Sequence, residues 1–219
     1  MQEDNSSSHY IPNEYWLKRG KEYMANFRYD KRLQLQESVL LEYLRTISFE
    51  SVLEVGCGFG RITRLVIRNF PDIRDYLAVD LSPDQIRNAQ EYIKPVLANR
   101  NINLEFHVAE IQRMQVDRKY DLVLASSVLM HILPKDIAQV MTMLVQLAKK
   151  HVINVDWFEE SIARQMPWNF VHPYESIYNS MPSVEQVFRI PIIKKGMLGK
   201  LDTRQSIFHA RINSKKDTS

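Results

Sequence analysis

Two rhythms of apolar and polar positions run along this chain. From "NEYWLKRGKEYMANF" to "LQLQESVLLEYLRTI" apolar residues recur at helical spacing, and Leu35, Val39, Leu40, Tyr43, Leu44 and Ile47 share one face. This predicts helices ahead of the first strand. Short apolar runs then take over. "SVLEV" reads as a strand ended by glycine at residue 56, and "RITRLVIRNF" reads as a helix that stops before Pro71. "YLAVD" is a second strand. Its exit, "LSPDQ", carries a helix start: Ser82 as N-cap, Pro83 at the first helical position and Gln85 three residues after the cap. "INLEFHV" and "YDLVLAS" read as strands three and four. A helical stripe of Ile137, Val140, Met141, Leu144, Val145 and Ala148 follows, and "HVINVDW" supplies the fifth strand. Apolar strands alternating with amphipathic helices predict a parallel sheet covered on both faces. "VEQVFRIPII" and "RQSIFHARI" read as a terminal antiparallel hairpin. The fold expected is therefore α/β and doubly wound, a mostly parallel seven-stranded sheet with an antiparallel C-terminal hairpin and N-terminal helices.

Composition narrows this without redirecting it. The 219 residues suit one domain over 10–212. The short polar ends, 1–9 and 213–219, are expected to be disordered. With 45% hydrophobic and 25% charged residues the chain reads as an ordinary globular protein. No apolar run approaches the ~20 residues needed to cross a bilayer. The start, "MQEDNSSSHY", lacks the basic and apolar regions of a secretory signal. Cys57 is the only cysteine, which rules out an internal disulfide and a multi-thiolate metal site and fits a reducing cytoplasm. Nothing resembles a metal cluster of carboxylates and histidines. The formal charge of +3 is too small to imply a nucleic-acid partner. The densest basic cluster, Lys194, Lys195, Lys200 and Arg204, reads as a solvated face.

Glycine placement is the first chemical signal. Three of the six glycines fall at Gly56, Gly58 and Gly60, between a strand and a helix. A strand that runs into a glycine turn and a helix is how open α/β sheets build cofactor sites. Glycine permits backbone conformations closed to other residues and lets a ligand approach the main chain. The following helix offers unpaired N–H groups to an anion. The dinucleotide fingerprint G-x-G-x-x-G is not met, because Arg61 stands where its last glycine belongs. Glu54, two residues before the first glycine, would also repel a pyrophosphate and welcome an ammonium.

"LEVGCGFGRIT" resembles the first motif of class I S-adenosylmethionine-dependent methyltransferases, an acidic residue followed by G-x-G-x-G. "LAVDLSPDQI", "FHVAEIQRM" and "YDLVLASSVLMHILP" resemble the family's second, third and fourth regions, in that order, across about residues 33–156. The resemblance implies a Rossmann-like fold and S-adenosyl-L-methionine as cofactor. It implies that Gly56, Gly58 and Gly60 curl beneath the methionine part, with Glu54 holding the ammonium directly or through water. Asp80, at the end of strand two, would accept from both ribose hydroxyls; a helix-capping role is the other reading, for which Ser82 is better placed. Leu81 would pack on the adenine, with Ala109 and Ile111 flanking it. Glu110 stands where the family has an aspartate contacting the adenine amino group, one methylene longer here; a plain loop glutamate is the alternative. Ser126 would lie against the methionine end. Asp121 begins strand four, at the wrong end of the sheet for a ligand, and is assigned to structure. Cys57 is read as a small packing residue.

The reaction implied is methyl transfer to a small-molecule acceptor, on oxygen or nitrogen, by in-line displacement. Protein or RNA methylation, or cofactor binding without catalysis, are the alternatives. An acceptor hydroxyl or ammonium needs a base, worth roughly 10²–10⁴-fold. His131 after strand four, and His172 and Tyr174 after strand five, are the candidates, each also readable as a packing residue. Aromatics cluster at Tyr10, Tyr15, Trp16 and Tyr23 and again at Trp157, Trp168, Phe170 and Tyr174. These support a helical lid over 10–48 and an acceptor-binding insertion over 157–182, or else core packing of the added helices. Arg19 is a candidate partner for the cofactor's carboxylate. The [Asp/Asn]-Pro-Pro-aromatic motif of DNA-base amino methylation is replaced by "ASSVLMH", so no DNA substrate is expected. No membrane partner is expected, and the oligomeric state is left open.

Overall fold

A computed structural model describes residues 10–98, 100–158, 168–195 and 201–213. Two helices, α1 (Pro12–Phe27) and α2 (Lys31–Leu44), come first, as the helical spacing predicts. Strands β1 (Ser51–Val55), β2 (Asp75–Asp80), β3 (Asn103–Val108), β4 (Tyr120–Ser126) and β5 (Ala148–Trp157) follow. They are linked by α3 (Arg61–Asn69) after β1, α4 (Pro83–Leu97) after β2 and α5 (Ile137–Gln146) after β4. A short helix, α6 (Tyr174–Asn179), precedes the hairpin of β6 (Val184–Lys195) and β7 (Leu201–Ile212).

The sheet order is β3-β2-β1-β4-β5-β7-β6. Strands β1 to β5 pair in parallel, while β7 runs antiparallel to β5 and β6. Pro191 sits in β6, which pairs on one side only; an edge strand tolerates the missing N–H. Alternate strand positions feed two cores. Val52, Tyr76, Leu122 and Ile153 face α2, α3 and α4, while Leu53, Leu77, Val123 and Val152 face α5 and α6. A fully buried aliphatic side chain of this kind contributes about 1.5–3 kcal/mol. Five of the six residues read as the α5 stripe are buried on that helix, while Ala148 instead begins β5, because the helix ends at Gln146.

Chain order reverses between β1 and β4, so their C-terminal ends diverge into a crevice where ligands bind in open α/β sheets. Helix α1 lies across this end. Its Gly20 is buried against the start of α4, where an added Cβ would fall 2.2 Å from Ser82 Oγ. Of the parts named in the sequence, residues 1–9, 159–167 and 214–219 lie outside the described residues, as do the side chains of the Lys194, Lys195, Lys200 and Arg204 cluster. Asn213 is tied to the fold, its amide donating to Ser183 O at 2.9 Å. Among the described residues no helix is long and apolar enough to cross a membrane.

Candidate cofactor and active site

The cavity sits at the C-terminal ends of β1, β2 and β4 and is roofed by α1. Its floor is the turn after β1, where Gly56, Gly58 and Gly60 have φ of 69°, 55° and 80°. These left-handed values are costly for any side chain with a Cβ. At Gly56 space is lacking too, since a Cβ would meet Val128 Cγ2 at 2.4 Å. Gly56 and Gly58 line the cavity. Gly60 does not. It precedes α3, and its missing Cβ lets Ile93 and Ala89 of α4 pack at 2.8 and 3.1 Å from that point. The structure thus moves Gly60 from ligand contact to helix packing.

Asp80 ends β2 on the cavity floor. Its Oδ2 accepts from the Gly58 amide at 2.8 Å and its Oδ1 from the Ser82 amide at 2.9 Å. Both oxygens are fixed from below while keeping lone pairs for a ligand. Burial raises this carboxyl above the usual aspartate range. Ser82 is the N-cap of α4, as the sequence predicts, accepting from the Gln85 amide at 3.4 Å. Gln85 does not complete the reciprocal box; its side chain donates to Gly20 O and so fastens α1.

Leu81, Ala109, Glu110, Ile111 and Ser126 all line the cavity, as the motif order implies. Glu110 is also held by Arg113 at 3.3 Å. Ser126 belongs to a polar group that sequence reading missed. Arg61 donates to Gln36 Oε1 at 2.7 Å, to Ser126 Oγ at 3.4 Å and to Glu37 at 3.1 Å. Gln36, fully buried, donates to Ser127 Oγ at 3.0 Å. Ser127 has φ of 58°, a strained backbone for a non-glycine residue on a cavity wall. Arg61 therefore latches α2 onto the end of β4.

Several expected positions are corrected. Glu54 is 2% exposed and does not line the cavity. Its Oε2 accepts from Thr63 Oγ1 and from Tyr76 OH at 2.7 Å, and burial raises its carboxyl to about 7. The cause is strand alternation, which turns residue 54 toward α3 and β2 instead of the crevice. Arg19 is exposed on the flank of α1, its guanidinium 5.8 Å from the Tyr15 ring centre, and lies outside the cavity lining. Tyr174 is 1% exposed and packs on Phe208 at 4.8 Å between ring centres. With Tyr178 it forms the i,i+4 face of α6 that meets the sheet. His172 is also buried, its Nε2 at 3.1 Å from Ile132 O. Neither of these two base candidates reaches the cavity.

His131 does reach it. Its Nδ1 lies 2.9 Å from Trp168 O, which only accepts, so Nδ1 carries the proton and Nε2 keeps a lone pair. Burial lowers this imidazole to about 4, so it is neutral at pH 7. Aromatic groups from both flanks meet around it. Trp16 packs on His131 at 4.4 Å and donates to Tyr10 OH at 3.1 Å, and Tyr15 stacks on Trp168 at 4.7 Å. Trp16, Gly20 and Tyr23, spaced i, i+4, i+7 on α1, line the cavity. Asp121 is structural, as expected, accepting from the Glu50 amide at 3.0 Å and pairing with Lys150. Burial pushes the Cys57 thiol up and leaves it inert. Among the described residues no group of three or more His, Cys, Asp or Glu is placed to hold a metal.

Residues 52–151 match the family described as a methyltransferase domain. A malonyl-[acyl-carrier protein] O-methyltransferase of Acetivibrio thermocellus is 29% identical over 104 residues, which is 45% of this chain and 34% of that protein. The chain spans about a third of the length of the curated relatives it matches first. Magnesium protoporphyrin IX methyltransferase from Synechocystis PCC 6803, solved with bound S-adenosylhomocysteine, superposes with a TM-score of 0.68 at 16% identity, covering 92% of this chain and 98% of that one. The N-methyltransferase NodS of Bradyrhizobium japonicum WM9, in complex with S-adenosyl-L-homocysteine, gives 0.68 at 16%, covering 92% and 99%. At such identity the structural likeness speaks for the fold. With the motif order and the fold beside it, residues 52–151 form a methyltransferase domain of the class I S-adenosylmethionine-dependent kind.

Proposed function

We propose that this protein transfers a methyl group from S-adenosyl-L-methionine to a small-molecule acceptor. The observation that carries the reading is Asp80, whose two oxygens are fixed by the Gly58 and Ser82 amides at the floor of a roofed cavity. That arrangement suits a ribose diol, and Leu81, Ala109 and Ile111 beside it suit a purine, with Glu110 for its amino group. The bound cofactor supplies an activated methyl on a sulfonium, so the chain's own work is alignment and exclusion of water. Helix α1 is the lid in this reading, and Trp168 and Phe170 mark the acceptor side. His131 Nε2 orients the acceptor by taking a hydrogen bond from it. An imidazole held near 4 is a weak base, so His131 does not ionise the resting acceptor; the proton set free as the methyl bond forms leaves through Nε2 to water. A structural neighbour named for magnesium protoporphyrin IX and a relative named for a malonyl group on acyl-carrier protein support the acceptor class, and the lone buried thiol suits a cytoplasmic setting.

Isothermal titration calorimetry tests this directly. S-adenosylmethionine and S-adenosylhomocysteine are expected to bind and a nicotinamide dinucleotide to give no heat. Purified protein offered hydroxyl, amine and carboxyl acceptors is expected to form S-adenosylhomocysteine with one of these classes. Binding of the dinucleotide alone would refute the cofactor assignment, and cofactor binding without turnover on any class would refute catalysis.

A further inference from the structure

Asp156, next to last in β5, has no exposure to solvent and lies beside two other fully buried polar groups, Asn154 and Tyr178. A carboxylate taken out of water is costly unless donors surround it. Here they do. Asn154 Nδ2 donates to Oδ2 at 2.9 Å, while Tyr178 OH donates to Asn154 Oδ1 at 2.9 Å and so fixes which way that amide points. The backbone amide of Met130 donates to Oδ1 at 3.2 Å, and the Val128 amide also donates to the carboxylate. Burial pushes the carboxyl up to about 7 against the pull of these donors.

Those two amides belong to the turn after β4 that forms one cavity wall. Val128 packs against Gly56 of the floor, and His131 faces the cavity from the same turn. The turn is held from its carbonyl side as well. Met130 O accepts from the Phe170 amide at 2.7 Å, and His131 O accepts from Tyr10 OH at 3.2 Å. Without Asp156 the buried amides of Val128 and Met130 would lose their acceptor, and the turn would settle elsewhere. We propose that Asp156 is a positioning residue for methyl transfer, its carboxylate setting the 128–131 turn so that Val128 closes on the glycine floor and His131 presents Nε2 to the acceptor. The proposal rests on the function proposed above for the cavity, although the residue itself lines no part of it.

Asp156→Asn is the decisive substitution, since it keeps the shape while turning one acceptor oxygen into a donor facing other donors. In ligand-free protein the His131 Cε1–H resonance, assigned by its loss in His131→Gln, is expected to move. Affinity for S-adenosylhomocysteine by calorimetry is expected to fall at least about fivefold, because small misplacements of a binding wall are expensive. Val145→Ala, in the α5 core away from the cavity, serves as a destabilised control. It is expected to lower the melting temperature without shifting the His131 resonance or the affinity. Parallel behaviour of the two variants, or an unmoved resonance in Asp156→Asn, overturns the proposal. If the wild type fails to bind S-adenosylhomocysteine, the proposed function falls, whereas the ligand-free resonance still decides this inference. Should Asp156→Asn not fold, Asn154→Ala releases the carboxylate from one side and is expected to move the same resonance; no movement overturns the proposal.

Discussion

Asp80→Asn tests the cavity floor. In the wild type, each carboxylate oxygen takes one backbone amide, at 2.8 and 2.9 Å, and keeps a lone pair for a ribose hydroxyl. Asparagine retains one acceptor oxygen and sets an NH₂ against the other amide, so one hydroxyl of the ligand loses its charged acceptor. A hydrogen bond to a charged group is worth about 1.5–3 kcal/mol, which corresponds to roughly 10- to 150-fold in Kd. A protein–ligand cycle isolates this from any disturbance of the loop. S-adenosylhomocysteine and its 2′-deoxyribose analogue are titrated by calorimetry into wild type and Asp80→Asn. Because burial raises the Asp80 carboxyl, the titrations belong at alkaline pH, which favours its ionised form. Displacement of the Gly58 or Ser82 amide weakens both ligands alike and cancels. The wild type is expected to prefer the ribose compound by that factor and the variant to lose most of the preference. Equal discrimination by both proteins would refute the assignment of Asp80 to the ribose, however much overall affinity fell.

Gly56→Ala forces a Cβ onto φ of 69° and to within 2.4 Å of Val128 Cγ2. About 1–2 kcal/mol of backbone strain alone is expected, with S-adenosylhomocysteine binding weakened more than tenfold by calorimetry; unchanged binding would mean the floor is not shaped this way. Glu54→Gln reports on a buried acid. Its folded carboxyl is raised from 4.5 to about 7, so the folded state holds a proton that the unfolded state has released. The stability it contributes is therefore greatest below pH 4.5 and is lost as pH rises to 7, by about 3 kcal/mol. The stability difference between wild type and variant, from urea unfolding across that window, should slope downward with pH; a flat difference refutes the burial argument. Arg61→Met removes the latch between α2 and β4 and is expected to cost about 2–4 kcal/mol in urea unfolding, with retention of full stability showing that α2 is held by its apolar face alone.

The sequence by itself determined what depends on neighbours a few residues away. The alternation of strand and helix, the α5 stripe, the Ser82 cap, the glycine turn and Asp80 at a strand end are all local patterns, and the structure keeps each of them. Tertiary structure decided which of these residues share a cavity. Strand alternation sent Glu54 inward to Thr63 and Tyr76, and the i,i+4 aromatic face of α6 carried Tyr174 into the core with His172 alongside. Gly20, Gln36, Arg61 and Asp156 gained their positions from partners distant in the chain: Gly20 meets Ser82, Arg61 meets Gln36, and Asp156 meets Met130. Periodicity shows which face of an element is buried, but not against which other element. That choice is made when the sheet order brings β1 beside β4 and α1 across their ends, and only then does a charged or polar side chain find the donors that fix its role.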